Sequence, residues 1–169
     1  MAHRLRLFFT VLSTFVSAEA LAAVDPLCGQ TITSDLTLTH DVDCISYTGN
    51  AITIGADNVT IDGAGFKIRA PDASAAIYAT GRNNVTIRNV DVSGWCGGAG
   101  IHLDTSTNAV IQDVRADSRD YGVRLRSATT PSVVGLLSDG VGNAALSIET
   151  LTGVPTLSGL VLENATTGF

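Results

Sequence analysis

Ala51-Ile52-Thr53-Ile54-Gly55-Ala56-Asp57-Asn58-Val59-Thr60-Ile61-Asp62-Gly63-Ala64-Gly65 is the stretch whose reading decides the fold. Two apolar-x-apolar triplets, Ile52-Thr53-Ile54 and Val59-Thr60-Ile61, flank a polar turn that ends in Asn58. Such alternation is the period of a β-strand, one side chain inward and the next outward. The phrase then returns along the chain. Its first anchor falls at Ile52, Ile77, Ile101, Val123 and Leu146, in steps of 25, 24, 22 and 23 residues. A second anchor is read at Ile61, Ile87, Ile111, Val134 and Leu157, in steps of 26, 24, 23 and 23. Two anchors that keep one period indicate a single unit stacked on itself.

The breaks between apolar runs are rich in Gly, Asn, Asp, Ser and Thr, and helical periodicity is confined to the first residues. Hairpins would reverse the order of the phrase at each turn. The same order recurs instead, which favours parallel stacking of successive coils. One coil reads as strand Ala76-Ile77-Tyr78-Ala79, strand Asn84-Val85-Thr86-Ile87-Arg88 and strand Asn89-Val90-Asp91-Val92, with Ser93 to Gly98 returning the chain. The expected fold is all-β, a parallel β-helix of about five to six coils. Asn58, Asn84 and Asn108 recur at one turn, where stacked amides can bond from coil to coil and tolerate left-handed backbone. Asn58-Val59-Thr60, Asn84-Val85-Thr86 and Asn164-Ala165-Thr166 also fit the glycosylation sequon, a second use for the same residues.

The start of the chain has another character. Arg4 and Arg6 precede an apolar run from Leu7 to Ala18 that is too short to span a bilayer, and Ala20-Leu21-Ala22 fits a small-x-small cleavage site. Residues 1–22 are therefore expected to be a signal peptide and 23–169 the β-helix domain, secreted or periplasmic. Without Arg4, Arg6 and Glu19 the mature chain keeps 8 basic and 15 acidic residues, which argues against nucleic acid and against anionic membrane as partners. Export permits disulfides. Cys28 and Cys44 bracket one short segment and are expected to pair, stapling the first coil, with Cys96 left over in Trp95-Cys96-Gly97-Gly98. At the other end, Thr167-Gly168-Phe169 falls where a further coil would begin. The expectation is a longer natural chain, or an open end that pairs with further coils or another chain.

Read together, the opening phrase and the line Asn83-Asn84-Val85-Thr86-Ile87-Arg88-Asn89-Val90 resemble the right-handed parallel β-helix repeat proteins of the pectate-lyase-like superfamily. That resemblance covers nearly the whole mature chain. It implies a solenoid, and among its members are polysaccharide lyases, galacturonases, uronate epimerases and adhesins. The catalytic signatures of those enzymes are missing: there is no Asp-Asp pair with Gly-His-Gly, and no Arg-x-Pro-x-x-Arg strand. No metal cluster or cofactor is implied.

Chemistry is thus sought on outward positions. On the first strand these stack as Thr53, Tyr78, His102, Arg124 and Ser147, followed by Gly55, Thr80, Asp104, Arg126 and Glu149. With coils about 4.8 Å apart, Tyr78, His102, Asp104, Arg124, Arg126 and Glu149 form one polar patch. Tyr can stack on a sugar face, Arg can grip a carboxylate, and His can act as acid or base. These six are the candidate substrate-binding residues of a module that binds polysaccharide, alone or as part of a lyase, hydrolase or epimerase. The alternative is a structural or adhesive solenoid whose face is simply solvated charge. The second strand is expected to expose Thr60, Thr86, Val110, Val133 and Thr156, and the third Asp91, Arg115, Ser138 and Val161.

Overall fold

The computed structural model describes residues 24–72, 74–94, 97–117, 120–140 and 142–164. The expected signal segment, Cys96 and the final Thr167-Gly168-Phe169 lie outside the described residues. The described chain consists of strands joined by short turns: β1 (Gln30–Ile32), β2 (Leu36–Thr37), β3 (Val42–Asp43), β4 (Ile52–Ile54), β5 (Thr60–Asp62), β6 (Ile68–Arg69), β7 (Ala75–Thr80), β8 (Thr86–Asp91), β9 (Ala99–Asp104), β10 (Val110–Arg115), β11 (Tyr121–Thr129), β12 (Ser132–Asp139), β13 (Ala144–Thr152), β14 (Thr156–Ser158) and β15 (Val161–Glu163). All pairings between them are parallel. One sheet runs β1-β4-β7-β9-β11-β13, a second runs β2-β5-β8-β10-β12-β14 with β15 also on β12, and β3 pairs β6. The result is the expected β-solenoid of about five turns.

The inward anchors explain why the coils stack. Ile52, Ile77, Ile101, Val123 and Leu146 stand in register on the first sheet, each 0% exposed. Ile61, Ile87 and Ile111 face them from the second sheet in one buried cluster. Burying a side chain of that size is worth roughly 1.5–3 kcal/mol, and an isolated coil could not bury any of them.

Small residues let the sheets approach. Ala76, Gly100, Gly122 and Ala145 lie one position before the anchors and line the inside. A Cβ at Gly122 would sit 2.5 Å from the Ala145 carbonyl oxygen and 2.7 Å from that of Ala116. Glycine is needed there for space, because its φ is not left-handed.

At the first corner Asn58, Asn84, Asn108 and Thr130 all have positive φ, between 46° and 59°. Asn84 Nδ2 donates to Asn58 Oδ1 at 2.9 Å, Asn108 Nδ2 to Asn84 Oδ1 at 3.1 Å, and the Thr130 hydroxyl to Asn108 Oδ1. The asparagines are thus a structural ladder, and Asn84 and Asn108 spend an amide donor on it.

The structure corrects the register of the second sheet in one coil. Ile111 pairs with Val133, which is buried, and Gln112 pairs with Val134. The second anchor is therefore Val133, not Val134, and the outward column reads Thr60, Thr86, Val110, Ser132 and Thr156. Two adjacent valines left the choice to the spacing, and this coil is 22 residues at both anchors. The third-strand column shifts likewise. Leu137 pairs with Arg115 and Val161 and is exposed, whereas Ser138 is fully buried and donates its hydroxyl to the Ala116 carbonyl at 2.7 Å. A buried serine is satisfied by that bond, so parity alone misplaces it.

The Cys28–Cys44 disulfide is present, with Cα atoms 5.5 Å apart. It ties the turn before β1 to the end of β3 and closes a loop worth about 3 kcal/mol in chain entropy. At the opposite end of the described chain Leu151, Val154, Leu157 and Val161 are exposed.

Candidate functional site

The register places all six candidate residues on one face. Tyr78 pairs with His102 and His102 with Arg124, while Asp104 pairs with Arg126 and Arg126 with Glu149. The two columns therefore run side by side up β7, β9, β11 and β13. Gly55, expected at the foot of the second column, lies just past β4, where its N–H donates to the Ile32 carbonyl.

The Tyr78 and His102 rings meet edge to face, with centroids 5.4 Å apart and planes at 73°. Arg124 lies above, its guanidinium 4.7 Å from the centre of the Tyr121 ring. Arg124 Nε donates to Glu149 Oε1 at 2.8 Å. Arg126 Nε stands 3.5 Å from Glu149 Oε2, and an Arg126 terminal nitrogen 3.8 Å from Asp104 Oδ2. The four charges form a chain across three strands, each arginine engaged by a carboxylate.

Beside this ladder opens a pocket of about 280 Å³, walled by Tyr78, His102, Tyr121 and Arg124 and edged by Asn50 and Asp120. The structure thus brings three of the six candidates into a concavity and leaves Asp104, Arg126 and Glu149 on its flank. Tyr121, Asp120 and Asn50 escaped sequence reasoning. Counting back by two from Arg124 lands on Gly122, but Gly122 and Val123 both point inward and Tyr121 is the next side chain outside. The signal was the glycine at an outward-parity position, which marks a break in alternation.

The stacked parallel register and its inward columns are those of a β-helix. A family model described as a right handed beta helix region matches residues 43–168. The chain belongs to the right-handed β-helix family. No curated protein and no solved structure matches it.

Within this right-handed β-helix the site's protonation follows from its packing. Burial, and next the Arg124 charge, push His102 below its ordinary value of 6.5, so the imidazole is neutral near pH 7. Its Nε2 is buried and has no hydrogen-bond partner among the described residues. The hydrogen bond from Arg124 holds the Glu149 carboxyl below the usual carboxylate range. At neutral pH the imidazole is therefore in its neutral form and the Glu149 carboxyl is ionised. Among the described residues no group of three or more His, Cys, Asp or Glu side chains is placed to hold a metal ion.

A larger opening, about 480 Å³, lies at the corner between the second and third strands and is walled by Asn89, Asp91, Asp113 and Arg115. Its polar groups are engaged in the fold. Asp91 accepts from the Ser93 N–H, Arg115 pairs with Asp117, Asn89 donates to Asp62, and Asp113 accepts from Gln112. Asn50, Asp120 and Arg124 of the smaller pocket are engaged as well. What makes that pocket the better candidate is its aromatic wall, which the larger opening lacks.

Proposed function

We propose that this right-handed β-helix is an exported module that binds polysaccharide along its first-strand face. The observation that carries the reading is the pocket beside the ladder, where two tyrosines, a neutral imidazole and a guanidinium converge. Tyrosines present an apolar ring and a polar hydroxyl together, which suits a sugar's apolar face and hydroxyl rim. The flanking outward residues of β9, β11 and β13 extend the polar track, so a polymer could lie across successive coils. Binding is better supported than hydrolysis. Glycoside cleavage needs one carboxylic acid held protonated, and Glu149 is held the other way. Export is supported by the leader-like start of the sequence and by the disulfide of the first coil.

A structural or adhesive solenoid is the second reading, favoured by the ion pairs that already satisfy the charges of this face. A glycan array separates the two. The binding reading expects retention on at least one polymer class, with Tyr78→Ala cutting affinity about tenfold at unchanged thermal stability. Retention on none, or retention indifferent to Tyr78, would leave the structural reading standing.

A further inference from the structure

The arginines of the first-strand face are the groups that would recognise an acidic sugar, and both are already engaged. Arg124 is the cation among the described residues that wall the pocket. Its Nε is bonded to Glu149 at 2.8 Å, and its guanidinium covers the Tyr121 ring. Arg126 divides between Glu149 and Asp104. A ligand carboxylate on Arg124 would have to share the guanidinium with Glu149, in a site edged by Asp120 as a second acidic residue. The whole chain adds a formal charge of −6, which repels polyanions at long range.

We infer that the pocket between Tyr78 and Tyr121 takes one ring of a neutral glycan and discriminates against uronates, with the Arg124–Glu149 pair as the discriminating element. The inference rests on the polysaccharide reading above and specifies its ligand class. The pocket's 280 Å³ lies below the roughly 300–1,000 Å³ of sites that enclose drug-sized ligands, and has room for a single sugar ring. Carboxylate and amide groups at its edge, Asp120 and Asn50, are of the kind that hold sugar hydroxyls. A paired guanidinium keeps terminal N–H donors for a hydroxyl oxygen while presenting little net charge. Selectivity comes from the pairing itself, because a uronate would meet one carboxylate bonded to its arginine and a second at the pocket edge.

Calorimetric titration of the full chain tests this with two sets of probes: cellohexaose, xylohexaose and mannohexaose as neutral ligands, and hexagalacturonate as the uronate. At least one neutral hexamer should bind at least about tenfold more tightly than hexagalacturonate, with little dependence on salt. Glu149→Gln removes the charge that neutralises Arg124 and should raise hexagalacturonate affinity about tenfold while leaving neutral binding nearly unchanged. Asp120→Asn provides an independent arm, weakening the neutral hexamer about fivefold without weakening hexagalacturonate. Tighter binding of hexagalacturonate by the unmodified chain overturns the inference and leaves the polysaccharide reading intact. Binding of neither class defeats the polysaccharide reading itself.

Discussion

Two polar columns climb this solenoid, and they are built differently. At the first corner Asn58, Asn84, Asn108 and Thr130 repeat one conformation and pass hydrogen bonds from coil to coil. On the first-strand face Thr53, Tyr78, His102, Arg124 and Ser147 share a register but no residue type recurs. A uniform column answers a demand that every coil makes, namely a left-handed turn and a bonded neighbour. A mixed column answers no such demand, since the stack needs only that its residues face outward. Uniformity therefore marks positions that hold the fold, and variety marks the face that stacking leaves open to specialisation. The pocket lies against the mixed column.

The sharpest test of that contrast is the inward column of small residues. Gly122→Val should destabilise the chain by roughly 3 kcal/mol, because added carbon would meet two backbone carbonyl oxygens that cannot move without breaking the ladder. Urea unfolding would report it as a lower midpoint. A midpoint close to wild type would mean that the sheets part easily there, and uniformity would then carry no structural weight. Next in size is the corner. Asn84→Ala loses a tolerated left-handed residue and its place in the amide ladder, for a total of about 2 kcal/mol. Asn84→Gly should recover about half of that, since glycine restores the backbone but not the side-chain bonds. Equal losses for the two variants would remove the backbone from the account.

Much of this was legible from residues alone. The anchors Ile52, Ile77, Ile101, Val123 and Leu146 fixed coil number, direction and first-sheet register, because burial forces a large apolar residue to return at each turn. The same logic brought Tyr78, His102, Arg124, Asp104, Arg126 and Glu149 onto one face. It failed where parity breaks. Val133 and Val134 are chemically alike, so only the strand pairing chooses between them. Ser138 is polar yet buried, satisfied by a carbonyl from the coil below. Tyr121 hid behind the inward pair Gly122 and Val123. Charge pairing was beyond reach for another reason. Register places Arg126 between Asp104 and Glu149, but which carboxylate each guanidinium takes depends on side-chain conformation.

On the mixed column, substitutions should cost little stability. Arg126→Ala is expected to change it by about 0.5 kcal/mol, because its partners are partly exposed and salt screens them. A loss as large as that of Asn84→Ala would erase the distinction between the two columns.

The smallest effect is also the most specific, and it is read as a pH dependence. His102 lies half-buried between the Tyr78 ring and Arg124. Arg124 and Arg126 oppose its protonation, while Asp104 and Glu149 favour it less strongly than burial and Arg124 oppose it. Its folded pKa is thus lower than the ordinary 6.5 that it regains on unfolding. Between those two values the unfolded chain binds the extra proton, so stability rises with pH. The contribution is fully present above 6.5 and is lost as pH falls through 6.5 towards the lowered folded value. His102→Asn should flatten that slope and leave the acid loss from Glu149, which lies below its ordinary 4.5, in place. Thermal midpoints of the two proteins across that range give the answer. Parallel curves near 6.5 would mean that the imidazole is as well solvated in the fold as outside it, and the pocket wall would have to be redrawn without it.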